Sequence, residues 1–246
     1  MKSKERHKLK ENEFARTVAH ASDFMQTRGR EMTAYVTVIV LALLLAGGFA
    51  VWRQTRNAKA NTLLASALAA EEAPVIAPSA PAPGSPIPVQ QAGTYPTEQA
   101  KLEAALPELI KAADAYPNTD AGITARYHAA GVLASLGRYT EAEQRYQEVV
   151  DKAGKRVYGR TAKLGLADVQ VVQGKYDTAI KIYQEAATDS NSQLPLDGVL
   201  MQLGRAYMKA GKKTEAAHAF TRVVEEFPTS AYAADARREM AEAKKG

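Results

Sequence analysis

The chain has 246 residues, is 46% apolar and only 7% aromatic, and carries a formal charge of +5 from 32 basic and 27 acidic side chains. It has no cysteine, which excludes disulfides, thiolate metal sites and cysteine nucleophiles. The basic residues are interspersed with acidic ones instead of forming an aromatic-interleaved stripe, which argues against nucleic acid as a partner.

The first 32 residues are polar, with Lys2, Lys4, Arg6, Lys8 and Lys10 near the start and Phe14, Val18 and Phe24 spaced as on a short amphipathic surface helix. Residues 33–52, Thr33 to Trp52, contain no charge. About 20 helical residues at ~1.5 Å each reach ~30 Å, the thickness of a bilayer's hydrocarbon core, so this stretch reads as a single transmembrane helix. Tyr35 and Trp52 stand at its ends, flanked by Arg28 and Arg30 before and Arg53 and Arg56 after. Ala67-Leu68-Ala69 imitates a signal-processing site, but the leading segment and the apolar run are too long for a cleaved signal, and an uncleaved anchor is expected. The basic N-terminus, set against a stretch from 60 to 100 without lysine or arginine, predicts an inside N-terminus and a translocated C-terminal part. Ala42, Ala46 and Ala50 form a small-residue stripe on which another membrane helix could pack.

A membrane-proximal helix is expected over 53–72 and a Pro-rich, extended loop over 73–96, with prolines at 74, 78, 81, 83, 86, 88 and 96. Residues 97–246 repeat themselves. Gly137, Gly174 and Gly211 occur in Leu-Gly-Arg-Tyr-Thr-Glu-Ala, Gln-Gly-Lys-Tyr-Asp-Thr-Ala and Ala-Gly-Lys-Lys-Thr-Glu-Ala, at a spacing of 37. The same phase aligns Ala142, Ala179 and Ala216, then Tyr146, Tyr183 and Phe220 four residues later, and relates Tyr116-Pro117 to Phe227-Pro228. Each unit reads as two helices joined at the glycine, with the alanine at their crossing and the ring filling the gap between units. Residues 98–116 read as the second helix of an incomplete first unit, whose partner is expected at Asn57 to Glu71, and Ala231 to Lys244 as a capping helix.

The pattern resembles the tetratricopeptide repeat (TPR), with Leu203, Gly204, Tyr207, Ala216, Phe220 and Pro228 matching its signature in full, while Ala129-Ala130 and Leu166-Ala167 replace Leu-Gly in the earlier units. The expected fold is therefore all-α: one transmembrane helix followed by a solenoid of three to four TPR-like hairpins. The resemblance implies that the first helix of each unit lines a concave groove, where Tyr127, Leu164, Asp168, Met201, Arg205 and Met208 would hold an extended or helical protein segment. The Lys/Asn/Lys/Arg set with which some TPR proteins clamp a C-terminal carboxylate is absent.

No chemistry suggests an enzyme. Gly174-Lys175 and Gly211-Lys212 lack the earlier glycine and the following Ser or Thr of a phosphate-binding loop, their places being taken by Val169 and Tyr176, and by Ala206 and Lys213. His7, His20, His128 and His218 share no metal-ligand spacing, and no Gly-x-Ser-x-Gly elbow occurs. Neither cofactor, metal nor small-molecule substrate is expected. In layout the chain also resembles the bitopic ancillary subunit of the bacterial Sec translocon. That resemblance implies an inner-membrane location with a periplasmic TPR domain, and as partners translocon subunits, a periplasmic chaperone and exported clients. The stretch from Phe227 to Ala234 is similar to TPR proteins of outer-membrane assembly and division, which implies the alternative role of an envelope organiser.

Overall fold

The computed structural model describes residues 3–78, 90–189 and 193–245, with side chains from residue 33 onward. Among the described residues there are nine α-helices and no strand; the helices are α1 (Ser3–Glu71), α2 (Glu98–Ala115), α3 (Asp120–Ser135), α4 (Tyr139–Ala153), α5 (Val157–Val172), α6 (Tyr176–Thr188), α7 (Leu196–Lys209), α8 (Lys213–Glu226) and α9 (Ala233–Lys244). The chain divides into two units, Met1–Arg56 and Asn57–Gly246.

In the first unit α1 runs without a break through the boundaries expected at 32/33 and 52/53. The side chains of Phe14, Val18 and Phe24 lie outside the described residues. From Thr33 the apolar side chains face open space: Leu45 is 75% exposed and Trp52 54%. The helix is long and apolar enough to cross a membrane, and none of its apolar window is buried in the protein. The hydroxyls of Thr37 and Thr55 donate back to the carbonyls of Thr33 and Val51, which satisfies them within the helix. Near the end of the run the Arg56 guanidinium stands 5.3 Å from the Trp52 ring centroid, and Phe49 packs beside that ring. Ala42, Ala46 and Ala50 are exposed, and a side chain added at Gly47 or Gly48 would meet nothing.

The second unit is built from helical hairpins. In the first hairpin, Asn57 to Glu71 of α1 stands beside α2 and α3: Ala60 and Ala67 are buried, Leu63 and Leu64 pack on Ala112 and Ala113 of α2, and Glu71 meets His128 of α3 at 2.9 Å. The Pro-rich segment between the two helices is clasped at its ends. Tyr95 N–H donates to the Pro74 carbonyl and Ile76 N–H to that of Tyr95, an isolated parallel bridge of Val75 with Tyr95. Three further hairpins, α3/α4, α5/α6 and α7/α8, follow, and α9 covers the last.

The three hairpin turns are copies of one geometry. Gly137, Gly174 and Gly211 have φ of 75°, 76° and 75°, the left-handed region that L side chains avoid. In each turn the glycine N–H and the next N–H reach back to the last carbonyls of the preceding helix, as in Gly174 to Val171 and Lys175 to Gln170. The hairpins also end alike. Tyr116 and Phe227, each before a proline, have nearly the same backbone angles (φ −133°, ψ 56° and φ −132°, ψ 57°), because the proline ring pushes the preceding residue out of the helical region. Gly154 stands 37 residues after Pro117 and ends α4 with a φ of 55°.

The aligned rings pack both within and between hairpins. Phe220 is fully buried, with its ring against the Gly204 backbone; a Cβ at Gly204 would come within 2.4 Å of it. Phe220 thus packs inside its own hairpin, whereas Tyr146 reaches over Gly165 of the next hairpin, 2.5 Å from a Cβ placed there. From α2 onward each helix packs on its neighbours in sequence, and in addition α3 packs on α5 and α5 on α7. The first helices of successive hairpins thus form the inner, more closely stacked rank, and the concave face is theirs.

A buried charge network joins the first two hairpins. Arg126 of α3 is 3% exposed and reaches Asp114 at 3.0 Å and Glu148 at 2.7 Å, and Arg145 contacts the same two carboxylates. Burial works against ionisation of Asp114, but the hydrogen bonds and charges of Arg145 and Arg126 outweigh it and hold that carboxyl below its ordinary range.

Gly204→Ala is expected to destabilise the repeat domain by about 1–3 kcal/mol through overpacking, and adding Phe220→Leu should restore part of the loss. Gly174→Ala should cost about 1–2 kcal/mol through left-handed backbone strain, with no recovery from the same second change. Urea unfolding of the four variants in detergent measures both.

Candidate functional site

The concave face presents Tyr127 and His128 from α3, Tyr158 and Asp168 from α5, and Arg205 from α7. Tyr127 is the centre of an aromatic group, with ring centroids 5.9 Å from Tyr146, 5.5 Å from Tyr158 and 5.8 Å from His128. Tyr146 belongs to α4, in the outer rank. It reaches this face because Gly131 and Gly165 carry no side chain to stop it: its hydroxyl is 3.6 Å from the place of a Cβ at Gly131. Tyr183, the ring 37 residues on, comes through from α6 in the same manner and its hydroxyl donates to Asp168.

Asp168 is exposed on this face and stands near Tyr127, Tyr146 and Tyr183. The loss of surrounding water raises its carboxyl above the ordinary aspartate range, and the Tyr183 hydrogen bond offsets only part of that. Burial, with the Asp168 charge nearby, also raises the phenols of Tyr127, Tyr146 and Tyr183.

Of the six groove residues read from the sequence, Tyr127 and Asp168 come together in this cluster. Leu164 is half-buried against the core shared by α5, α6 and α7. Arg205 holds Glu239 of α9 through two nitrogens at 3.0 and 2.8 Å, so its charge is answered within the chain. Met208 is partly buried beside Met240, and Met201 is 1% exposed, packed with Leu200 and Phe220. Met201 supports the face from beneath and offers nothing to a ligand. Tyr146, Tyr158 and Tyr183 were not in that set; a glycine inside a helix, costly unless something packs on it, was the signal at Gly165.

A second concavity lies on the opposite face, where α6 and α8 stand apart over α7. It measures about 830 Å³ and is lined by Lys181, Gln184, Leu203, Tyr207, His218 and Arg222, with Gln184 donating to the Tyr207 hydroxyl at 2.7 Å. The turn lysines sit elsewhere. Lys175 and Lys212 are exposed, and each pairs with an acid of the preceding hairpin, Glu143 at 2.8 Å and Asp177 at 2.7 Å. Among the described residues no three His, Asp or Glu side chains converge as metal ligands.

Because the folded protein raises the Asp168 carboxyl, the stability it contributes is present below the unfolded aspartate value of about 3.9 and is lost as pH rises through the folded value. Asp168→Asn keeps an acceptor for Tyr183 and removes the charge. It should melt higher than the parent at pH 7, with the gap closing towards pH 4; thermal unfolding across that range checks the sign.

The comparisons agree with this architecture. A family model described as a tetratricopeptide repeat-like domain matches residues 23–245. A crystal structure of nearly identical TPR-like repeats from Podosopora anserina superposes with a TM-score of 0.52 at 18% identity, covering 59% of this chain and 78% of that one. A tetratricopeptide repeat protein from Parabacteroides merdae superposes with a TM-score of 0.50 at 16% identity, covering 60% of this chain and 56% of that one. A comparison with curated proteins returned no match. The family model spans nearly the whole sequence and the hairpins have the corresponding fold: the chain belongs to the tetratricopeptide repeat-like domain family.

Proposed function

We propose that the protein is a membrane-anchored scaffold that holds segments of other proteins on the concave face of its repeats. The observation that carries this reading is the tyrosine-lined concavity around Tyr127 and Asp168, formed on the inner rank of a repeat fold whose general use is protein binding. The anchor is the stretch from Thr33 to Trp52, whose apolar side chains are exposed along its length. With Arg56 and Trp52 at one end, it suits a single crossing with the aromatic ring at the headgroups. The scaffold has no catalytic role.

The finer assignment is to the bacterial inner membrane, N-terminus inside and repeats in the periplasm, where the protein assists the Sec translocon and a periplasmic chaperone in handling exported chains. The layout of a basic N-terminal segment, one apolar helix and a small repeat domain supports it.

Photo-crosslinkers placed at Leu44, Tyr158 and His218 test the anchor, the groove and the outer cleft separately in living cells. Translocon subunits are expected from Leu44 and exported chains or a chaperone from Tyr158. Outer-membrane assembly or division proteins from the same positions would replace the translocon assignment with envelope organisation. Partners recovered from His218 alone would move binding to the outer cleft.

A further inference from the structure

The concave face carries a charge that the protein itself leaves unanswered. Asp168 accepts one hydrogen bond, from the Tyr183 hydroxyl, whereas a carboxylate can accept about four. Among the described residues no ion pair reaches it. Arg205, one repeat period further on and thus at the equivalent position of the next hairpin, is turned to Glu239. In the preceding hairpin the equivalent position is Gly131, which leaves open space beside Tyr146.

Tyr127 and Tyr146 stand near this carboxylate with their rings at 62° to each other, and Tyr158 extends the aromatic group on the far side of Tyr127, at 59° to it. A carboxylate set among tyrosine rings attracts a cation twice, through charge and through the negative faces of the rings. The carboxylate is open to solvent on the concave side and has no counter-ion among the described residues. A bound cation would supply the counter-ion.

We propose that Asp168, held by the Tyr183 hydroxyl and bordered by Tyr127, forms a subsite for the lysine or arginine side chain of an extended partner segment lying in the groove. The subsite rests on the reading of the concave face as the binding surface and specifies the charge of what binds there. Its sign is opposite to that of a carboxylate clamp: the groove selects segments by a positive side chain within the chain, with no requirement for a free C-terminus.

The test uses the full-length protein in detergent micelles and a displayed library of random twelve-residue peptides. Because the chain has no cysteine, Tyr158→Cys can be labelled at that one site with a bulky maleimide to block the groove. Selected peptides are expected to share a lysine or arginine at one aligned position and to lose binding to the blocked protein. Synthetic versions should bind at least tenfold more tightly than counterparts with citrulline or acetyl-lysine at that position. Asp168→Asn should bring this ratio close to one without lowering the melting temperature. Peptides that are lost on blocking but show no basic preference, or a preference that survives Asp168→Asn, overturn the subsite and leave the groove. Peptides that bind the blocked protein equally well, or a selection that enriches none, overturn the groove reading and the subsite with it.

Discussion

A ring pressed onto bare backbone is the contact on which the repeat domain depends. Two helices alone cannot bury the apolar stripe of either, so each hairpin needs a neighbour, and the neighbours must approach closely enough to exclude water. The rings of Tyr146, Tyr183 and Phe220 fill the space between the helix ranks at every period, and the residues beneath two of them, Gly165 and Gly204, have no side chain. The alanines at 142, 179 and 216, all fully buried, bring the two helices of a hairpin together at the crossing. Large ring and absent side chain therefore form one unit of packing. Where the ring is tyrosine, its hydroxyl continues through to the concave side; where it is phenylalanine, in the last hairpin, it stops in the core.

The same periodic arrangement explains which features could be read from sequence. Spacing of 37, left-handed glycines and prolines after the second helices are local constraints, and the turns at Gly137, Gly174 and Gly211 repeat to within one degree in φ. The helical character of Asn57 to Glu71 was also legible, from its composition. Which side chains reach the groove was not, because that depends on the tilt between neighbouring hairpins. Met201 and Tyr127 hold equivalent positions in the repeat, yet one lies in the core and the other at the surface, since the hairpin holding Met201 is capped by α9 and Tyr127 faces α5. The partner of Asp168 comes from the outer rank, 15 residues away, through a gap that exists only once the hairpins are stacked. Pairing of Lys175 and Lys212 across hairpins was hidden for the same reason: a lysine beside a turn glycine is ordinarily free in water.

Charge is handled differently along the domain. At the first junction two arginines and two carboxylates are grouped, with Arg126 almost fully enclosed, so that loss of Asp114 or Glu148 removes a partner from a buried charge. Later junctions use exposed pairs such as Lys212 with Asp177, which add little to stability but favour one register over another.

The clasp between Pro74, Ile76 and Tyr95 separates the length of the Pro-rich segment from the integrity of the first hairpin. Its two ends are already fastened next to the helices they serve, so chain inserted between them lengthens a closed loop without loosening α1 from α2. Each doubling of such a loop costs only about 0.6 kcal/mol in closure entropy. The segment is accordingly a natural splice point, a place where the chain can acquire or shed residues over evolution, or accept a grafted epitope or reporter domain, while the repeat array beyond it goes on folding unchanged.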